Sequence, residues 1–149
     1  MYRIGVGYDS HRTIDGRALI LGGEYIPYSA GLKGHSDGDA LCHAITDAIL
    51  GAAAQGDIGR HFPDTDQQYE GANSLALLAR AVEIVKAAGY VVENVDAVVI
   101  AEEPKLAPHV DRIRATLAKT LGVAVDAVGV KGKTNEGMAV HAVALLRRL

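Results

Sequence analysis

A chain of 149 residues has room for one domain with its own core, and 49% hydrophobic with 22% charged residues is a globular composition. The formal net charge of −3 argues against a nucleic-acid binder held by a basic face, and no apolar run approaches the roughly 18 residues of a membrane span. The N-terminal stretch is broken too early for a secretory signal and the single Cys42 makes no internal disulfide, so the expectation is a cytoplasmic protein.

Residues 2–8 set Ile4, Val6 and Tyr8 against Arg3, Gly5 and Gly7, the alternation of a half-buried strand rich in glycine. Residues 18–21 and 24–26 flank Gly22-Gly23, a two-residue hairpin signal. Residues 31–38, rich in glycine, read as a loop long enough to be functional. From Asp39 the period turns helical on Leu41, Ile45, Ala48, Ile49 and Ala52, with Ser36, Asp37 or Asp39 as caps, and it fades at Gln55-Gly56. A second loop covers residues 56–73. Ser74 then reads as the cap of a helix on Leu75, Leu78, Val82 and Val85, stopped by Gly89. Residues 90–101, rich in β-branched side chains, read as one or two strands broken near Glu93-Asn94. A helix over 105–121 follows, with Pro108 in its first turn and Gly122 at its end. Residues 125–130 and 138–146 close the chain as strands. The order of elements gives an α+β fold, one domain over residues 1–149, with a mixed sheet and helices on one face.

Several polar stretches carry possible chemistry. Asp9 and His11 lie two apart where the first strand runs out, so both side chains point to one side. His43, early in the following helix, can supply a third ligand, and two imidazoles with a carboxylate suit zinc with one position left for substrate. Asp47, four residues on, is placed to orient the His43 ring. The plainer reading of this trio is a polar strand end beside a helix-surface histidine. The run His35-Ser36-Asp37-Gly38-Asp39 sets a histidine beside a helix N-terminus, a phosphate site or an ordinary cap. Asp57-Ile58-Gly59 and Phe62-Pro63-Asp64-Thr65-Asp66 can hold substrate hydroxyls or be turn chemistry alone. Lys131 to Glu136 ends a strand with two cations, polar donors and a carboxylate, suited to a phosphate with its metal or simply solvated. Cys42 reads as a small buried hydrophobe, and His61, His109 and His141 carry no pattern.

Taken in order and at their spacing, Gly5-x-Gly7-Tyr8-Asp9-Ser10-His11, His35-Ser36-Asp37-Gly38-Asp39, His43, Asp57-Ile58-Gly59 and Phe62-Pro63-Asp64-Thr65-Asp66 closely resemble the 2-C-methyl-D-erythritol 2,4-cyclodiphosphate synthases. These are enzymes of non-mevalonate isoprenoid biosynthesis. The resemblance runs from Arg3 nearly to the C-terminus. It implies a metal-dependent phosphorus–oxygen lyase. Its reaction closes 4-diphosphocytidyl-2-C-methyl-D-erythritol 2-phosphate into the cyclic diphosphate and expels CMP. It also implies a chorismate-mutase-like homotrimer with active sites between subunits, and no nucleic-acid or membrane partner. Asp9, His11 and His43 match the family's ligands to Zn²⁺ or another divalent transition metal, and Glu136 the holder of Mg²⁺ or Mn²⁺. His35 and Thr134 match groups that stabilise the transition state, Ser36 the group that contacts the 2-phosphate, and Ser10 is counted among the substrate-binding residues. Asp57, Ile58, Gly59, Phe62, Pro63, Asp64, Thr65 and Asp66 match the methylerythritol pocket. Ala101, Pro104, Lys105 and Leu106, with Lys133, Thr134 and Asn135, match the cytidine and diphosphate side.

The chain departs from the family twice. Lys133-Thr134-Asn135-Glu136 replaces a threonine-rich run, which keeps a donor and a carboxylate and adds a cation for a phosphate contact. Members usually carry a glycine-rich loop with an arginine and a glutamate before the last strand, whereas here Gly137 passes directly to Met138. With the flanking motifs intact, the expectation is a mobile loop that the protein retains between Gly137 and Met138, rather than a deletion. Two rival functions remain: a non-catalytic trimeric binder of nucleotides or isoprenoid diphosphates, and a zinc hydrolase of phosphate esters. The intact metal residues argue against the binder, and release of inorganic phosphate would mark the hydrolase.

Overall fold

The computed structural model describes residues 1–134 and 137–149. Its four-stranded sheet has the order β1 (Tyr2–Ser10), β8 (Met138–Arg148), β6 (Tyr90–Ala101), β7 (Val128–Lys133). β8 pairs antiparallel with β1 and β6, whereas β6 and β7 run parallel. A parallel pair needs a crossover, and helix α4 (Val110–Leu121) supplies it. The two small sheets pair β2 (Thr13–Asp15) with β5 (Ala30–Leu32) and β3 (Leu19–Leu21) with β4 (Glu24–Ile26). Gly22 and Gly23 join β3 to β4 at φ +61° and +78°, the paired positive values that a tight hairpin of this hand requires.

Helix α1 (Ala40–Ala52) lies across β1 and β8 and carries the centre of the core through Leu41, Ile45 and Ile49. Asp39 caps it, accepting from the Cys42 N–H at 2.9 Å. The same carboxylate accepts from the N–H groups of Gly22 (3.0 Å) and Gly23 (2.7 Å), which ties hairpin to helix. Burial pushes its pKa up, and those three donors are what make the buried carboxyl tolerable. Cys42 is buried beside it, as expected, and burial raises its thiol pKa well above the ordinary range.

β1 is half-buried, but the glycines supply the buried face. A Cβ on Gly5 would stand 2.0 Å from the Ala48 carbonyl oxygen, and one on Gly7 1.8 Å from that of Ala44. Helix α1 is therefore seated on bare backbone. Tyr2 (61% exposed), Ile4 (74%), Val6 (71%) and Tyr8 (55%) line the opposite, open face, against the usual placing of apolar side chains.

Other boundaries shift for local reasons. The loop over 31–38 begins inside β5, and that over 56–73 contains α2 (Ile58–His61) and a 3₁₀ turn over Gln67–Tyr69. Asn73, not Ser74, caps α3 (Ser74–Ala87), its Oδ1 accepting from the Leu75 N–H at 2.9 Å. The helix expected over 105–121 is divided by a 3₁₀ turn at Ala107–His109 that holds Pro108. β7 starts after another 3₁₀ turn, Val125–Ala127. β6 is one strand with a bulge between Val92 and Asn94, where a break was expected. The retained loop is a correction too: the chain runs without interruption from Gly137, at φ +74°, into Met138. The loop is a deletion, and the arginine and glutamate expected in it are absent from the sequence.

Candidate functional site

Asp9 sits at the end of β1, His11 just beyond it, and His43 in the first turn of α1. Seating α1 on the glycine face of β1 is what brings His43 over the strand end. One Asp9 oxygen, Oδ2, lies 2.6 Å from His11 Nε2 and 3.1 Å from His43 Nδ1. One ligand atom from each residue falls within 4.8 Å of the others, and all three residues are half-buried. A set of two imidazole nitrogens and one carboxylate oxygen fits a divalent transition metal.

The ring atoms turned away from this centre are also held. His11 Nδ1–H donates to the Lys33 carbonyl at 2.7 Å, leaving Nε2 aimed at Asp9. His43 Nε2 lies 2.8 Å from Ser74 Oγ and 3.0 Å from Ser36 Oγ. Burial pushes the Asp9 pKa up, but the His11 and His43 rings beside it outweigh that and leave the carboxyl below its usual range. The bond to Asp9 raises the His11 pKa, so a cation binding here must displace a well-held proton. Asp47 does not orient His43. Its Oδ1 accepts from the Ile58 N–H at 2.7 Å and so fastens the start of α2.

A cavity of about 410 Å³ opens on this cluster. It brings together Asp9, His11 and His43 with His35, Ser36, Ile58, Gly59, Phe62, Pro63 and Asp64. His35 Nε2–H donates to the Asp66 carbonyl at 3.2 Å, which turns Nδ1 free of that bond. Phe62 is buried and packs edge-on against Tyr69, with ring centroids 5.6 Å apart. Asp57, Thr65 and Asp66 are not on this wall. Asp57 caps α2 by accepting from the Arg60 N–H, and the Asp66 carboxylate accepts two bonds from Gln68, which lower its pKa. Ser10 lines a neighbouring open depression with His11, Arg12 and Gly137.

A second cavity, of about 370 Å³, lies at the C-terminal ends of the parallel strands β6 and β7. Ala101, Pro104, Lys105, Leu106, Lys133 and Thr134 all line it, where an open α/β edge ordinarily takes a ligand. Among the described residues it shares no wall residue with the first cavity. Asn135 and Glu136 lie outside the described residues.

Sequence reasoning missed Arg17, Asp37 and Ser74. Arg17 donates to the carbonyls of Gly34 (3.1 Å) and Ser36 and so shapes the loop that carries His35. Nothing in its sequence neighbourhood signals this. Ser74 was read as a cap, and the glycine-flanked Asp37 as one of several possible caps. His61 donates to the Gln55 carbonyl at 2.6 Å and His141 tilts against Tyr8.

The chain matches known proteins over most of its length. The chain is 62% identical over 136 residues to the 2-C-methyl-D-erythritol 2,4-cyclodiphosphate synthase of Chromobacterium violaceum, covering 91% of this chain and 86% of that one. It is 57% identical to the synthase of Gloeobacter violaceus over 153 positions, with coverage of 97% and 94%. That alignment is longer than the part of this chain it covers by about eight positions, as a deletion requires. A solved CDP-bound form of such a synthase superposes with a TM-score of 0.92 at 41% identity, covering 97% of this chain and all of its own. The model of the YgbB family matches residues 2–145. The chain therefore belongs to the YgbB family, that of the 2-C-methyl-D-erythritol 2,4-cyclodiphosphate synthases.

Proposed function

We propose that this chain converts 4-diphosphocytidyl-2-C-methyl-D-erythritol 2-phosphate to 2-C-methyl-D-erythritol 2,4-cyclodiphosphate and CMP, the step its relatives' name describes in non-mevalonate isoprenoid biosynthesis. The observation that carries this reading is the Asp9–His11–His43 cluster at the wall of a cavity that also holds His35 and Ser36. An oxygen of the 2-phosphate attacks the β-phosphorus. The bond from that phosphorus to the oxygen shared with the α-phosphate breaks, and CMP leaves with the electron pair. Water is not a reactant.

The barrier is the approach of one anion to another, so positioning and charge neutralisation carry the catalysis. A divalent cation held by Asp9, His11 and His43 would supply Lewis-acid neutralisation of the diphosphate oxygens. Ser36 Oγ, by accepting from His43 Nε2–H, keeps its own proton for a phosphate oxygen. His35 and Thr134 stabilise the transferring group from opposite cavities, and Lys133 adds positive charge beside Thr134. Ile58, Gly59, Phe62, Pro63 and Asp64 enclose the methylerythritol part, with Asp57, Thr65 and Asp66 shaping the loops around it and Ser10 at the rim. Ala101, Pro104, Lys105 and Leu106 take the cytidine, consistent with the CDP-bound solved relative. Glu136, beside Asn135, is assigned the Mg²⁺ or Mn²⁺ of the diphosphate. The expected result with this substrate is one CMP per cyclic product. Release of inorganic phosphate would mark a hydrolase, and tight nucleotide binding without turnover a binder.

The assembly belongs to the same reading: one synthase domain, in a chorismate-mutase-like homotrimer that completes each site between neighbours. Two observations support it. The open sheet face of Tyr2, Ile4, Val6 and Tyr8 is apolar, and the metal-side and nucleotide-side cavities are separate within the subunit. A mixing experiment tests it. Asp9→Ala and Gly132→Trp, which fills the nucleotide-side cavity, should each be inactive alone. Co-refolded in equal amounts, they should recover about a quarter of wild-type activity, the fraction of interfaces that pair two intact halves. No recovery would place both halves in one subunit. Among the described residues no helix is long and apolar enough to cross a membrane, and the single buried thiol fits a cytoplasmic location.

A further inference from the structure

Ser74 opens α3, yet Asn73 does the capping. Its hydroxyl is thus free of the helix end, and Ser74 is fully buried. It lies between two groups that come from the other side of the site. Ser74 Oγ is 2.8 Å from His43 Nε2, and it also bonds Asp37 Oδ1. The Ser74 backbone N–H donates to the other Asp37 oxygen at 3.0 Å, so the carboxylate grips both polar hydrogens of the residue. Asp37 is itself held in place, its Oδ1 accepting from the Asp39 N–H at 3.1 Å.

Donor and acceptor capacity then orders this chain in one direction. A carboxylate only accepts, so the Ser74 O–H proton points to Asp37. The Ser74 oxygen can then serve His43 only as an acceptor, and His43 Nε2 must carry the hydrogen. A neutral imidazole has one N–H, which leaves the lone pair on Nδ1, the atom that faces Asp9 Oδ2 at 3.1 Å. Ser36 Oγ, 3.0 Å from His43 Nε2 and 3.3 Å from Ser74 Oγ, is a second acceptor for the same hydrogen. Asp9 alone would draw a hydrogen to Nδ1 and block that ligand position. Asp37 and Ser74 oppose it.

We infer that Ser74, oriented by Asp37, is a positioning residue that fixes the His43 tautomer and so sets the metal affinity of the Asp9–His11–His43 centre. The inference rests on the metal reading above and assigns function to two residues that touch neither the cation position nor the substrate cavity wall. Partners of this kind, one bond beyond a ligating histidine, contribute about 10- to 100-fold in metal affinity.

The test measures zinc affinity of the metal-free protein by competition with a chromogenic chelator, with the visible spectrum of the Co²⁺-loaded protein alongside. Wild type should bind one ion per chain at this centre, and Asp9→Ala should abolish that. Ser74→Ala should bind zinc about 10- to 100-fold more weakly, with altered Co²⁺ bands and an unchanged melting temperature of the metal-free protein. Asp37→Asn is nearly isosteric and keeps the inference testable should Ser74→Ala fail to fold. Its amide can donate to Ser74, reverse the chain and weaken zinc in the same range. Both variants binding as tightly as wild type, with unchanged Co²⁺ spectra, would overturn the tautomer role and leave the metal centre standing. A wild type that binds no zinc would overturn both together.

Discussion

Replacing Asp9 with alanine should lower kcat/KM for the cyclisation by about a thousandfold or more, comparable with the loss of a main electrostatic element of an active site. Asp9 Oδ2 is the one atom that meets both imidazoles, at 2.6 Å and 3.1 Å. Without it the cluster has no anionic ligand, and His11 Nε2 loses its carboxylate partner. Zinc content and turnover should therefore fall together in Asp9→Ala, and again in His43→Ala. The melting temperature should change little, since neither side chain belongs to the apolar core. CMP release gives the rate, and metal analysis of the purified variants gives the content. An Asp9→Ala protein that keeps its zinc and a tenth of its rate would show that the cluster is not where the chemistry is done.

The second large effect is structural. Gly7→Ala should destabilise the protein by about 3 kcal/mol or more, above the usual range for overpacking. The new methyl would lie 1.8 Å from the Ala44 carbonyl oxygen and 2.9 Å from the Ala48 backbone nitrogen. These are backbone atoms of α1 and cannot rotate away, so the helix must lift from the strand. Lifting α1 also carries His43 away from Asp9, and the variant should lose metal affinity along with stability. Gly51→Ala is the control, a glycine in the last turn of α1 itself with nothing within 4 Å of its added Cβ. It should be neutral or stabilise by up to about 1 kcal/mol. Denaturant titration of the three proteins measures both effects. A loss below about 1 kcal/mol at Gly7 would mean that helix and strand are not so closely apposed.

Much of the fold was legible because its signals are local. The Gly22-Gly23 hairpin, the period of α1 and the β-branched run of β6 each lie within a dozen residues or so. What was not legible depends on long-range contact. No local pattern shows that α1 packs on Gly5 and Gly7 and leaves Ile4 and Val6 outward. Spacing along one helix placed Asp47 beside His43, but the Ile58 N–H, brought in by the following turn, took that carboxylate instead. Ser74 and Asn73 are adjacent polar residues of similar capping strength, and only the structure shows which hydroxyl or amide the helix end uses.

The candidate site divides in the same way. Asp9 and His11 could be paired from strand geometry alone, while His43 is 34 residues from Asp9 and was joined to them only weakly by spacing. The order of motifs made that connection, and the structure gives it distances. Arg17, Asp37 and Ser74 act through hydrogen bonds to loops or histidines far along the chain, so no local pattern shows those roles. The absent loop after Gly137 was visible as a gap, and the intact motifs on either side led to the wrong inference that it was still present.

The most direct measurement follows substrate turnover by phosphorus NMR with metal-stripped protein, before and after one equivalent of zinc, in the presence of Mg²⁺. The account predicts no reaction before zinc, then equal growth of CMP and cyclic diphosphate signals, with neither formed by Asp9→Ala under the same conditions. Turnover by the stripped protein, or inorganic phosphate in place of the cyclic product, would contradict it.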